Sequence, residues 1–188
     1  MSRVAATVMS PAWSQPFDLW FDVPTDRADM AATCPAADPW VAALLLTAMR
    51  HGEDLRVDAP LTEDLRRALP QVQNVFAAWM PSATTIAVDA AGTYTSGVRG
   101  DGVGLCFSCG VDSWYSLLRS EDRRRFGRPP DVTHLLHVHG VDIDVGRWKA
   151  DVAGTVAAHT IRIADAFGLT PVTIATNVRQ LYSRVGLS

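Results

Sequence analysis

Cysteine, lysine and long apolar runs are all scarce in this sequence of 188 residues. Its three cysteines cannot all pair within one chain, and no secretory disulfide framework is visible. The longest apolar run, residues 40–46, is far shorter than a membrane span. Pro11 and Pro16 interrupt the N-terminus before the apolar core of a signal peptide forms. We therefore expect a reduced, soluble, cytoplasmic protein.

A strong excess of either charge is also lacking, since 17 basic and 20 acidic residues give a net charge of −3. No general basic field exists to hold nucleic acid or anionic lipid, so we expect neither as a partner. What is abundant is apolar side chains, at 48% of the chain, as in a packed globular protein. The six tryptophans are expected in the core or at an interface, which leaves a homo-oligomer open.

The first half of the chain mixes strand and helix signals. Strand patterns cover residues 17–23, 55–57 and 84–89, and helix patterns cover residues 38–50 and the segment after residues 61–64. The second helix is expected to bury its apolar spacing of Leu65, Leu69, Val72, Phe76 and Trp79. Residues 90–102 form the best linker. We assign residues 1–98 to a small α+β region of unknown role.

The second half alternates strands and helices. Residues 103–107 are nearly all apolar, as in a strand covered on both faces. A turn at residues 108–110 and a helix at residues 111–120 are predicted next. An Arg-rich loop at residues 121–131 leads to a second strand at residues 132–138. A helix at residues 147–167 and a third strand at residues 171–175 follow. This order predicts an α/β fold with parallel strands in a Rossmann-like layered sheet over residues 99–188.

Ligands of such sheets bind at the carboxyl ends of the strands, where residues 107–113, 138–142 and 175–177 lie. The first segment offers successive N–H groups and the positive end of a helix dipole, which suit phosphate. Ser108 and Ser113 would add hydroxyl donors. Asp112 suits such a site only where a cation such as Mg²⁺ bridges it to the phosphate.

The string FSCGVDSWYSLL resembles the PP-loop signature of the ATP pyrophosphatases, Ser-Gly-Gly-x-Asp-Ser between a strand and a helix. Ser108, Gly110, Asp112 and Ser113 match, whereas Cys109 stands where the family has its first glycine. The resemblance covers about residues 102–182. The strings THLLHVHGVD and TIATNVR make it similar to the asparagine-synthetase-like subgroup, also described as adenine nucleotide alpha-hydrolase-like.

The resemblance implies an enzyme that uses ATP and Mg²⁺ to adenylate a small-molecule acceptor with release of pyrophosphate, followed by attack of a nitrogen nucleophile. It implies catalytic roles for Asp112 and Ser113, with Asp112 also serving the metal. The ATP-binding residues that it implies are Phe107, Ser108, Cys109, Gly110, Val111, Ser113, Val138, His139 and Asn177. Sulfur transfer is disfavoured because no cysteine follows Cys109. The acceptor is not specified.

Other interpretations remain beside this one. Cys109 and an end soon after the third strand favour a catalytically degenerate or fragmentary nucleotide-binding module. Cys106 and Cys109 form a CxxC spacing typical of redox or zinc sites, although Cys106 is expected as a small core residue. The remaining alternatives are a metal site at His134, His137, His139, Asp142 and Asp144, a basic patch or a solvated loop at Arg123, Arg124 and Arg125, and a helix N-cap role for Asn177.

Overall fold

The computed structural model describes residues 1–27, 37–95, 102–128, 131–141, 150–184 and 186. The strands are β1 (Ser2–Val8), β2 (Phe17–Val23), β3 (Leu55–Val57), β4 (Leu61–Thr62), β5 (Val88–Ala90), β6 (Thr93–Tyr94), β7 (Gly104–Cys106), β8 (His134–His139) and β9 (Thr170–Thr176). The helices are α1 (Asp38–His51), α2 (Glu63–Trp79), α3 (Val111–Arg125), α4 (Ala150–Phe167) and α5 (Val178–Arg184).

The chain divides into two units. One comprises Met1–Ala28 with Gly100–Arg179, and the other comprises Asp29–Arg99 with Gln180–Ser188. The division at residue 98 expected from the sequence therefore differs from this one. The difference arises because the N-terminal strands hydrogen-bond into the sheet formed by the second half of the chain.

The first unit is built on a five-stranded sheet in the order β1-β2-β9-β8-β7. β7, β8 and β9 are parallel, with Leu105 opposite Leu135 and Leu136 opposite Val172. The predicted parallel three-stranded core is thus confirmed. β1 and β2 extend the sheet as antiparallel strands, and the strand pattern over residues 17–23 is confirmed as β2. The protein is a mixed α/β structure with parallel strands at the centre of this unit.

Helices α3 and α4 pack on one face of the parallel strands. Their apolar side chains form a buried cluster with residues in and next to β7 and β8. Its buried members are Phe107, Leu117, Val132, Leu135 and Ala164. Trp114 joins the two helices, because its ring meets Phe107 edge-on at 5.2 Å and Phe167 at 6.4 Å between centroids. Burying each large apolar side chain contributes about 1.5–3 kcal/mol, so this cluster holds α3 and α4 on the sheet.

In β7, Gly104 and Cys106 are exposed and Leu105 is half-buried, which corrects the expectation of a strand covered on both faces. β7 spans three residues, and Cys106 is exposed rather than buried in the core. A run of apolar residues in the sequence does not reveal the order of the strands. In the sheet β7 is the last strand, and among the described residues no strand pairs with its outer side. A Cβ at Gly104 would stand 2.5 Å from Leu136 Cδ1, so a larger residue there requires the Leu136 side chain to shift.

Helix α3 is longer than the sequence indicated. The segment expected as an Arg-rich loop continues the helix to Arg125, and its last turn holds all three arginines. Arg124 pairs with Glu121 and Arg125 with Asp122, each three residues apart along the helix. Such pairs add a few tenths of a kcal/mol to a helix. Arg123 pairs with Asp131 beyond the helix end.

The second unit contains α1, α2 and two small parallel sheets, β3 with β5 and β4 with β6. Thr62 caps α2 by accepting a hydrogen bond from the Leu65 N–H at 3.2 Å. The expected apolar face of α2 is only partly correct, since Leu69 is buried but Val72 and Trp79 are exposed. The strand expected at residues 84–89 is shorter and later, and forms β5.

Candidate functional site

The loop of residues 108–113 joins the carboxyl end of β7 to the first turn of α3. Phe107 anchors its start, since this side chain is buried and its N–H donates to the Leu136 carbonyl at 2.8 Å. Ser113 anchors its end and is also buried. The five residues between these anchors are exposed. The loop therefore presents its main chain to solvent from a fixed base.

Cys109 has the left-handed main-chain conformation, with φ of 62°. It is the one non-glycine residue with positive φ in the described part of the chain. An L-residue held there costs about 1–3 kcal/mol, whereas glycine takes this conformation freely. The structure thus gives Cys109 the conformation for which glycine is suited, at the position where the PP-loop signature has glycine.

The two loop serines use their hydroxyl groups within the loop. Ser108 Oγ accepts from the Gly110 N–H at 3.4 Å, and Ser113 Oγ donates to the Gly110 carbonyl at 2.7 Å. Ser113 was expected as a donor to phosphate, but its proton is committed to Gly110 in this conformation. These bonds hold the turn that leads into α3.

The N-terminus of α3 has no side-chain cap from the described residues. Gly110 occupies the N-cap position with φ of −77° and ψ of 166°, and within the described part of the chain no side chain accepts from the first N–H groups of the helix. Uncapped N–H groups and the positive end of the helix dipole favour an anion. The donor set at this end of the loop therefore fits a phosphate group.

Asp112 is exposed in the first turn of α3 and is the acidic residue of that turn. Within the described part of the chain, its carboxylate makes no hydrogen bond or ion pair. The helix dipole stabilises a carboxylate there by about 0.3–1 kcal/mol. Its oxygens are thus available to a hard cation such as Mg²⁺, which prefers carboxylate and phosphate oxygens.

Val138 and His139 end the neighbouring strand β8. Leu136 is opposite Cys106, so Val138 and His139 lie level with the start of the loop. Both are half-buried. Gly140 follows, and its carbonyl accepts from the Arg179 N–H at 3.2 Å. Asp142 and Asp144, which were weighed as metal ligands, lie outside the described residues.

Asn177 directly follows β9, two strands away from β7 in the sheet. Its amide is buried and binds the main chain of β2 through both polar atoms, with Trp20 and Asp18 as partners. The structure thus uses this side chain to join two strands. The expected role of Asn177 in holding ATP stays a prediction.

The described residues hold no cluster of three or more His, Cys, Asp or Glu side chains suited to a metal ion. His134 Nδ1 lies 2.8 Å from Thr133 Oγ1, and His137 is buried. His134 and His137 lie three residues apart in β8, so they point to opposite faces of the sheet.

A pocket of about 130 Å³ lies at the opposite end of the parallel strands. The second half of α3 and the end of α4 form it, with Leu117, Arg124 and Phe167 among its lining residues. Sequence reasoning missed it because it ended α3 at residue 120. The helical spacing of Leu117, Glu121 and Arg124 was the signal that α3 continues.

Comparison with known proteins gives no relative, since the chain matches no family model, no curated protein and no solved structure. Within the described segments, every helix is too short or too polar to cross a bilayer.

Proposed function

We propose that the loop of residues 108–113 binds the phosphates of ATP and that the protein adenylates a small-molecule acceptor. The observation that carries this proposal is the left-handed conformation of Cys109 at the carboxyl end of a parallel strand. A matching string of letters does not by itself imply that main-chain geometry. The exposed, uncapped N-terminus of α3 supports the same proposal.

The residues at the end of the loop have distinct parts in this function. The N–H groups of Val111 and Asp112 donate to phosphate oxygens, and Ser113 holds the turn through Gly110. Asp112 would hold Mg²⁺, and the chemistry that this ion would supply is neutralisation of phosphate charge. An oxygen of the acceptor bonds to the α-phosphorus while the bond to pyrophosphate breaks. A nitrogen nucleophile then displaces AMP from the adenylated acceptor.

A second candidate function is a nucleotide-binding module without catalysis. Two observations favour it: both loop hydroxyls bond within the loop, and Cys109 carries a side chain at a strained position. Exchange of labelled pyrophosphate into ATP separates the two functions. An adenylating enzyme supports exchange when its acceptor is supplied, whereas a binding module takes up ATP and exchanges none.

Calorimetric titration with ATP and Mg²⁺ tests the binding step, and Val111→Pro is the sharpest variant. Val111 is the first helical residue, where proline is tolerated and removes one N–H. Val111→Ala is the matched control, because it shortens the same exposed side chain and keeps the donor. Loss of one bond to a charged group, about 1.5 kcal/mol, predicts roughly tenfold weaker binding for the proline variant only. Equal affinities for both variants, or no binding by the parent, would overturn the proposal.

A further inference from the structure

Two exposed thiols lie at the start of the loop, one just before it and one within it. Cys106 ends the edge strand β7, and Cys109 follows three residues later in the left-handed conformation. Both are free and exposed, so a soluble oxidant reaches either sulfur. Burial of Cys106 was the reason to set the CxxC spacing aside, and the structure removes that reason.

We infer that Cys106 and Cys109 form a redox-sensitive pair and that its oxidation prevents the loop from binding phosphate. The inference rests on the proposed function for its consequence at the nucleotide. The reaction itself does not depend on ATP. It is a modification of two residues of this chain by a low-molecular-weight disulfide such as oxidised glutathione.

The reaction balances as two thiol–disulfide exchanges. One cysteine thiolate attacks a sulfur of oxidised glutathione, forms a mixed disulfide and releases one glutathione thiolate, which takes up a proton. The other cysteine thiolate attacks the protein sulfur of that mixed disulfide and releases the second glutathione. Both cysteines are oxidised by one electron each, and oxidised glutathione is reduced by two.

Bond formation constrains the loop. β7 is extended through Cys106, and the Phe107 N–H still bonds to β8. A disulfide needs Cα atoms within about 6.8 Å and a specific torsion about the S–S bond, so it fixes Cys109 relative to Cys106. Phe107 and Ser113 are buried, so the exposed residues between them change conformation. Cys109 then leaves its left-handed conformation, and the N–H groups that face the anion are redirected.

Intact-mass and peptide mapping test the pair in Cys34→Ser protein, which retains only these two thiols. Oxidised glutathione is expected to remove two hydrogens and to leave a Cys106–Cys109 link that dithiothreitol reverses. Cys106→Ser in the same background is expected to retain one glutathione instead, because the resolving thiol is gone. Two retained glutathiones on the unmutated pair, a link between two chains, or no reaction would overturn the inference.

The effect of the disulfide on the conformation of the loop can be measured by NMR without nucleotide. The amide chemical shifts of residues 108–112 are expected to change on oxidation, while that of Leu135 in the core stays in place. A disulfide that leaves the loop amides unmoved would overturn the coupling. ATP affinity is expected to fall at least tenfold on oxidation and to return on reduction. Reduced protein that binds no ATP counts against the proposed function, while mapping and amide shifts still decide the thiol pair.

Discussion

The Asn177 amide oxygen accepts a hydrogen bond from the Trp20 main-chain N–H at 2.9 Å, so a side chain after β9 extends the hydrogen bonding between β9 and β2. The amide nitrogen of the same side chain donates to the Asp18 carbonyl at 2.8 Å. The main-chain ladder between β2 and β9 pairs only Phe21 with Thr176 and Asp22 with Ala175. Asn177 therefore supplies a substantial share of the bonding between the N-terminal hairpin and the parallel strands.

Asn177→Ala is expected to lower the free energy of unfolding by about 2 kcal/mol, because it leaves a main-chain donor and acceptor of β2 without partners. Urea denaturation measures the loss. Asn74→Ala is the matched control, since Asn74 is exposed on α2 and its removal is expected to cost less than about 0.5 kcal/mol. Similar losses in the two variants would show that the bonds to Trp20 and Asp18 contribute little.

The parallel core was predictable because alternation of apolar strands and amphipathic helices is a local pattern in the sequence. The exposure of Cys106 was not, because it depends on what packs against each face of β7 in the folded protein. β1 was missed, since its short alternating side chains gain a buried face only by pairing with β2. The loop position followed from the residue types of the signature. The left-handed conformation of Cys109 and the two bonds of Asn177 required coordinates.

Cys109 provides a test of main-chain strain. Cys109→Gly is expected to be at least as stable as the parent, because release of about 1–3 kcal/mol of strain outweighs the extra freedom that glycine gives the unfolded chain, about 0.4–1 kcal/mol. Cys109→Val is expected to be less stable by more than about 1 kcal/mol, since a β-branched residue is poorly tolerated at positive φ. Thermal unfolding ranks the three proteins.

The same glycine variant is expected to bind ATP more tightly, by about 1 kcal/mol, because the side chain beside the phosphate is gone. Calorimetry measures this affinity directly.

For the stability prediction, a glycine variant that is less stable than the valine variant would show that Cys109 is not strained by its positive φ. A glycine variant that is more stable but binds ATP with unchanged affinity would show that the Cys109 side chain does not hinder phosphate binding.

Asp22 is expected to make stability depend on pH through Arg3. The Arg3 guanidinium hydrogen-bonds both carboxylate oxygens, at 2.7 and 2.8 Å, and this lowers the pKa of Asp22. A lowered pKa in the folded state means that the stabilisation is present above the unfolded value of about 3.9 and is lost as pH falls through the folded pKa. Arg3→Gln is therefore expected to be less stable than the parent at neutral pH, by a gap that narrows in acid.

Carboxyl titration by NMR and urea denaturation across this pH range check the prediction for Asp22. Arg56→Gln is the control, because the Arg56–Asp58 pair is 3.7 Å apart and highly exposed. A gap for Arg3→Gln that stays constant from neutral to acid pH would show that Arg3 acts only through its position 4.0 Å over the Trp20 ring.

Asp112 separates a phosphate-binding loop from an ordinary helix start. As a helix-start residue it contributes about 0.3–1 kcal/mol through the dipole, and its charge would repel an incoming phosphate. As a Mg²⁺ ligand it attracts the nucleotide through the bridging cation. Asp112→Asn keeps the shape and removes the charge, so the two roles predict opposite changes in ATP affinity. We expect Mg²⁺-dependent ATP binding to fall at least tenfold, while the melting temperature without ligand hardly changes. Glu121→Gln, farther along the same helix, controls for loss of a carboxylate and is expected to bind as the parent does. Binding of Mg·ATP by Asp112→Asn at parental or higher affinity, measured by calorimetry, would assign Asp112 to the helix start alone.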